Sequence, residues 1–264
     1  MTVGRDLRRD LSTQDLLLGC ADCPAAGYNL CDASMRRGPQ VSDFERRYVP
    51  QAGYTTKARR LIIHEQDFPD AVPIICSGWA TSVKLLPDGR RQILSILLPG
   101  DIVSAGLLFA PKPGRVVEAI TDVHYRTFRR RELKSLLFGR AEYLDGILNT
   151  WIAEQKQADR LIVDLGRRSG EERIARLILT LAQRLKLRGM LDDPSHMEFP
   201  LRQHHIADAA GLTQVHVSKV ISDFRRSGLV EFHQRSLNIL DLDGLRRRAN
   251  AGNCPGQVLY AASA

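Results

Sequence analysis

Residues 203–227 read QHHIADAAGLTQVHVSKVISDFRRS, and the order of apolar, glycine and hydroxyl residues in this stretch sets the architecture of the C-terminal part of the chain. A short helix is expected to bury Ile206, Ala207 and Ala210. Gly211 then supplies the turn, where the absence of a Cβ permits positive φ and close helix approach. Leu212 fills the angle between the helices, and Thr213 is placed to cap the second one. That second helix repeats Val217, Val220, Ile221 and Phe224 on one face, which predicts a buried stripe. The layout is that of a helix-turn-helix. Gln214, His216, Ser218, Lys219, Arg225 and Arg226 are left for the opposite face, with Arg202, His204 and Thr213 at the helix starts. Gln pairs bidentately with adenine, Lys and Arg with guanine, and Ser with bases or phosphate. These nine residues are therefore the candidate contacts to double-stranded DNA. Downstream, Gly228–Glu231 and Leu237–Leu240 flank His233-Gln234-Arg235 as a small hairpin or wing.

Working upstream, 187–200 is a polar connection containing Gly and Pro. Before it, Ser169 followed by Glu172 reads as a capping box. It opens a helix with Ile174, Leu177, Ile178, Leu181 and Leu185 on its apolar face, and 166–170 is expected to break the chain from a longer helix. In that longer helix Leu144, Leu148, Trp151, Gln155, Ala158, Ile162 and Leu165 recur in alternating steps of four and three, the spacing of a coiled-coil seam. A seam of about three heptads beside a small domain suits a second copy of the chain. A homodimer presents two recognition helices one DNA turn apart, about 34 Å.

Further upstream the texture changes to short strands between turns. Val72–Cys76 runs into Ser77-Gly78, Trp79–Leu86 meets a Pro87-Asp88-Gly89-Arg90 turn, and Gln92–Leu98 returns to Pro99-Gly100-Asp101. Val116–Ile120 and Val123–Phe128 add further strands. Strands at this spacing predict an all-β roll or barrel. The expected organisation is α+β: a cysteine-bearing arm over 1–40, a β-roll sensor over 41–130, a dimerisation helix region over 131–167, a winged helix-turn-helix over 168–250, and a disordered tail over 251–264.

The whole order of motifs resembles the Crp/Fnr superfamily of bacterial transcription regulators over about residues 41–249. The resemblance rests on Ser77-Gly78-Trp79, the hairpin Leu85–Gln92, Leu98-Pro99-Gly100-Asp101, and Ile206–Leu229. It implies a cyclic-nucleotide-binding-like jelly roll, a long dimerisation helix, and RNA polymerase as a further partner. Cyclic-AMP-responsive members carry a Glu after the Gly-Asp turn for the ribose and an Arg-Ser pair for the phosphate. Here Ala105 stands at the Glu position, and Arg115 is followed by Val116 instead of Ser. Each lost polar partner should cost about 1–3 kcal/mol, so cyclic AMP is not the expected effector. At the base-reading positions, where many members carry Glu, Ser or Gly, and Arg, this chain offers Val215, Ser218 and Lys219. Valine cannot accept from cytosine N4 but can touch a thymine methyl. The operator should therefore differ from the family consensus.

The 264 residues carry a net charge of +8, with 44% hydrophobic and 26% charged residues. That basic excess favours a polyanionic partner. No apolar run approaches the ~18 residues of a membrane span. Arg5, Arg8 and Arg9 precede no long apolar stretch, so a cytoplasmic location is expected. Five cysteines fit poorly with a disulfide framework. Cys20, Cys23 and Cys31 sit where oxygen-sensing members keep ligands of an iron–sulfur cluster, with Cys76 as the remaining candidate ligand in the body. Those members use a closer third cysteine and a fourth in the region matching 121–128, which here holds none. A cluster, a thiol switch or zinc site, and a structural role all stay open. His64 reads as an ordinary hydrogen-bonded residue, and His204 and His205 as phosphate-facing groups. The alternative function class, a cysteine-based redox or metal-dependent enzyme using Cys20-x2-Cys23, lacks the βαβ setting such chemistry needs.

Overall fold

The computed structural model describes residues 52–65, 70–110, 114–139, 141–191 and 196–249. The expected arm over 1–40, with Cys20, Cys23 and Cys31, and the expected tail over 251–264 lie outside them. The chain divides between Ile162 and Val163 into two units.

Among its described residues the first unit has seven strands: β1 (Ala52–Thr56), β2 (Leu61–Ile63), β3 (Ala71–Ser77), β4 (Ala80–Leu85), β5 (Arg91–Leu97), β6 (Val116–Ala119) and β7 (Val123–Arg129). They form a three-stranded sheet in the order β1-β7-β3 and a four-stranded sheet in the order β2-β6-β4-β5. All pairings are antiparallel. One apolar cluster joins both sheets, taking Ile63 from β2, Val72, Ile74 and Ile75 from β3, Leu97 from β5, Val117 from β6, and Val123, Tyr125 and Phe128 from β7. This is a roll of short strands, as the strand spacing predicts, in the jelly-roll-like form that the family resemblance implies.

The turn motifs of the sequence have specific jobs. Gly78 takes φ 81°, and a Cβ there would lie 2.2 Å from the Asp122 carbonyl oxygen. That close approach lets Thr121 Oγ1 accept from the Trp79 amide at 2.9 Å, with Trp79 itself buried. The β4–β5 hairpin closes through Leu86 N–H to the Arg90 carbonyl at 2.9 Å, and Asp88 accepts from the Arg90 amide at 3.0 Å.

Helix α1 (Arg130–Gly139) follows β7 and sinks Leu133 into the same core. Helix α2 (Ala141–Arg167) is the long helix. Its continuity through Gly166 corrects the expected break at 166–170, which narrows to Arg168 and Ser169. The last turn is held by Asp164, whose Oδ1 lies 2.9 Å from Nε of both Arg168 and Arg176.

The second unit takes the end of α2 from Val163 and continues into α3 (Gly170–Leu187). Ser169 N–H donates to Glu172 Oε2 at 2.7 Å and Glu172 N–H to Ser169 Oγ at 3.3 Å, the expected capping box. Ile174, Ile178, Leu181 and Leu185 are buried, while Leu177 is half-buried. Strand β8 (His196–Glu198) lies inside the stretch read as a polar connection. It is followed by α4 (Gln203–Ala210), α5 (Gln214–Arg226), β9 (Val230–His233), β10 (Ser236–Ile239) and α6 (Leu242–Arg248). The small sheet has the order β8-β10-β9, with Phe199 N–H also reaching the Arg235 carbonyl at 2.6 Å.

Candidate nucleic-acid interface

The pair α4–α5 is built as its sequence demands. Ile206, Ala207, Ala209 and Ala210 are buried on α4. Gly211 ends that helix in the left-handed region (φ 62°, ψ 44°), and the half-buried Leu212 donates its amide to Ala207 at 3.0 Å. Thr213 caps α5, its Oγ1 accepting from the His216 amide at 3.2 Å. Val217, Val220, Ile221 and Phe224 are buried beneath α5. Their burial fixes which face of α5 is free.

The free face carries Gln214, Val215, Lys219 and Ser222, all exposed, with half-buried Ser218 between them. Ser222 is absent from the sequence-based set, and Val215 enters it only as a base-reading position implied by the family resemblance. Residues 215, 218, 219 and 222 share one stripe by helical period, so the register alone could have found both. His216 is displaced from that stripe. A Cβ on Gly170 would fall 2.6 Å from its Nε2, so the imidazole lies against the start of α3. Arg225 is exposed but tethered to the wing: its Nη2 donates to the Phe232 carbonyl at 2.9 Å and its guanidinium lies 6.0 Å from the Phe232 ring centroid. Arg226 pairs with Asp223. Exposed Arg202 precedes α4, and its amide donates to His205 Nδ1 at 3.0 Å. His205 thereby serves the helix start, with the half-buried His204 ring 3.9 Å from it. At the tip of the β9–β10 hairpin, exposed Gln234 and Arg235 line a shallow groove with His196, Glu198, His233 and Ser236.

The seam residues on α2 divide. Leu144 packs partly against the β-roll core, and Leu165 is half-buried. Leu148, Trp151, Gln155, Ala158 and Ile162 are exposed, joined by Ile152 and Val163, which the heptad reading omitted. The opposite side of α2 belongs to its own chain. Ile147 is buried in the core, and Gln157 donates to the Leu94 carbonyl at 3.5 Å. Trp151 bridges the two sides, stacking on exposed Phe109 with ring centroids 6.2 Å apart.

In the β-roll, a 3-10 turn (Ala105–Leu108) follows the Gly100-Asp101 turn. Ala105 begins it, and its amide donates to Glu154 Oε1 of α2 at 2.8 Å. Burial raises the Glu154 pKa above the usual carboxylate range, opposed by the Ala105 amide and the Arg115 charge. Val116, buried at the start of β6, brings no hydroxyl to this region. Cys76 is half-buried on β3, its Sγ 3.7 Å from the Ile74 carbonyl. Among the described residues, no group of three or more His, Cys, Asp or Glu could hold a metal ion. Among the same residues, no helix is long and apolar enough to cross a membrane.

Comparison with known proteins agrees with this geometry. A family model for a cyclic nucleotide-binding domain matches residues 55–140, and one for a Crp-like helix-turn-helix domain matches residues 172–248. The transcriptional activator protein FnrL of Cereibacter sphaeroides is 30% identical over 249 residues, covering 90% of this chain and 94% of that protein. The nitrogen fixation regulation protein FixK of Bradyrhizobium diazoefficiens is 30% identical over 226 residues, covering 84% and 90%. Among solved structures, FixK2 from Bradyrhizobium japonicum superposes with a TM-score of 0.67 at 27% identity, over 74% of this chain and 95% of that one. With a β-roll, a long helix and a winged helix-turn-helix in the same order, and with relatives matched almost end to end, the chain belongs to the Crp/Fnr superfamily of DNA-binding transcription regulators.

Proposed function

We propose that this regulator works as a homodimer, paired along the exposed side of α2, that sets two α5 helices into the major grooves of a two-half-site operator. The observation that carries the DNA reading is the free face of α5: a capped helix whose buried side is complete presents polar and cationic groups to solvent. Gln214, Ser218 and Lys219 are the base-facing candidates. Arg202, His204, Thr213, Arg225 and Arg226 surround them as backbone-facing groups, where the helix N-terminus and cations suit phosphate. His216, set against Gly170, supports the joint between α3 and α5. Homodimerisation is supported by the apolar side of α2, where Leu148, Trp151, Ile152, Ile162 and Val163 are all exposed.

Cyclic AMP is not the effector in this reading. Ala105 offers no acid, Val116 no hydroxyl, and the Ala105 amide is already taken by the Glu154 carboxylate. The signal is oxygen or redox state, entering through Cys20, Cys23 and Cys31 with Cys76 as a further thiol. Cysteine spacing alone supports this part. Thiolates so spaced can carry an iron–sulfur cluster or a reversible thiol switch. The protein acts in the cytoplasm and engages RNA polymerase, in keeping with relatives that are transcriptional activators.

Two experiments test the proposal. Fluorescence anisotropy against a selected operator should show affinity falling steeply with salt, with log–log slope near −0.9 per phosphate contacted. Salt-insensitive or absent binding overturns the reading. Lys219→Ala should weaken operator binding, and wild-type affinity in that variant removes Lys219 from the interface. For the signal, an anaerobic absorption spectrum with iron and acid-labile sulfide counted should show a visible band that bleaches in air if a cluster is present. If the protein is colourless and its operator affinity is identical with reduced and oxidised thiols, oxygen and redox are excluded.

A further inference from the structure

Val215 is the most exposed of the large hydrophobic side chains among the described residues, at 81%. It sits in the first turn of α5, on the side opposite Val217, Val220, Ile221 and Phe224, which are all buried. It shares its stripe with Ser218, Lys219 and Ser222, and Gln214 precedes it. A β-branched residue on the solvent side of a helix does not improve the helix, since its χ1 freedom is lost against the preceding turn. The same stiffness has a use at an interface, because two methyl groups are held in one orientation before any partner arrives.

We infer that Val215 is a specificity-determining residue of this regulator and reads the C5-methyl group of a thymine in the major groove. The inference rests on α5 being the recognition helix. Of the four base edges in that groove, only thymine presents a methyl, while cytosine presents its N4 amino group. Valine packs on the first and cannot accept from the second. Cytosine at this place therefore loses the apolar contact and has its donor desolvated without a partner. Discrimination between thymine and cytosine comes from both an attraction and a penalty. The position is bounded as well. Val215 and Lys219 are separated by four residues, a rise of about 6 Å. Base pairs step by about 3.4 Å along the duplex. The thymine should fall within one or two base steps of the pair that Lys219 meets.

The test begins with operators selected from random duplexes by the full-length protein. Each thymine in the selected half-site is then replaced singly by deoxyuridine, which removes the methyl and nothing else. One replacement in a single half-site should weaken wild-type binding about four-fold, the worth of one buried methyl group. The same replacement should leave Val215→Ala almost unaffected. Val215→Glu should abandon thymine at that position and select cytosine, whose N4 it can accept from. If deoxyuridine scanning weakens wild type and Val215→Ala equally at every position, or if both select the same bases, the inference is wrong while DNA recognition by α5 stands. If no operator emerges from selection and binding ignores salt, the reading of α5 itself has failed.

Discussion

Ile162→Glu provides a sharp test of pairing along α2. Ile162 is 69% exposed, the highest value on that helix among the large hydrophobic side chains of the described residues, and takes little part in the packing of its own chain. Fully burying an isoleucine side chain is worth about 1.5–3 kcal/mol, so covering the two thirds that remain open contributes roughly 1–2 kcal/mol per protomer. A two-fold interface counts each residue twice, giving about 3 kcal/mol lost on substitution, before adding repulsion between two carboxylates brought together near the axis. At 1.4 kcal/mol per factor of ten, the dimer dissociation constant should rise by at least about 100-fold. Sedimentation equilibrium across a concentration series measures this directly, and circular dichroism of the monomeric variant should show the helical content retained. Trp151 is a poorer probe, since its stack on Phe109 would be lost from within the protomer as well. A dissociation constant within three-fold of wild type for Ile162→Glu would refute pairing through this face.

The remaining predictions concern the two units separately. Thr213→Ala removes the acceptor for the His216 amide and should cost about 1 kcal/mol of stability in the DNA-binding unit, read from denaturant midpoints at unchanged m. An unchanged midpoint would mean that the cap contributes nothing. For Glu154, burial raises the pKa of the folded-state carboxyl above its ordinary 4.5, so in that range the folded chain binds more protons than the unfolded one. Its contribution is present below pH 4.5 and is lost as pH rises through the raised value. Glu154→Gln should therefore remove a fall in stability with rising pH, seen as a wild-type-minus-variant difference that grows more unfavourable to wild type above pH 4.5. A difference that is flat with pH would rule out the buried acid.

How much of this was legible depended on how local the cause was. The helix-turn-helix could be read because its determinants lie within one stretch: Ala207, Ala210, Gly211, Thr213 and Phe224 act on residues a turn or two away. The capping box at Ser169 and the Asp88 hairpin are local in the same sense. Strand β8 was hidden because His196–Glu198 is three residues long and is made a strand only by β10, some forty positions later. Glu154 reads in sequence as one more solvated charge on a helix, and its partner is a backbone amide with no side-chain signature. The heptad pattern marks an exposed line on α2 but cannot foresee which apolar residues the chain covers itself: Leu144 packs partly against the β-roll core, while Ile152 and Val163, outside the heptad, are exposed.

That division of α2 bears on how a signal in the β-roll could reach the operator. The 3-10 turn touches α2 at both ends, through the Ala105 amide on Glu154 and through Phe109, its C-terminal cap, on Trp151. Residues 151 and 154 are three apart and so lie on neighbouring ridges of one helical face. Ile152, between them in sequence, projects to the exposed side. A displacement of the turn therefore has two attachments through which to rotate or shift this segment, and any rotation moves Leu148, Ile152 and Ile162 together because a continuous helix carries them. Interfaces between helices switch between discrete packings and do not slide smoothly, since side chains must interdigitate. With α2 paired to a second copy as proposed, a sub-ångström change at Ala105 would be converted into a choice between two seam registers. The carboxylate that holds the turn to the helix is part of the chain, so under the proposed function the coupling runs through Glu154 itself.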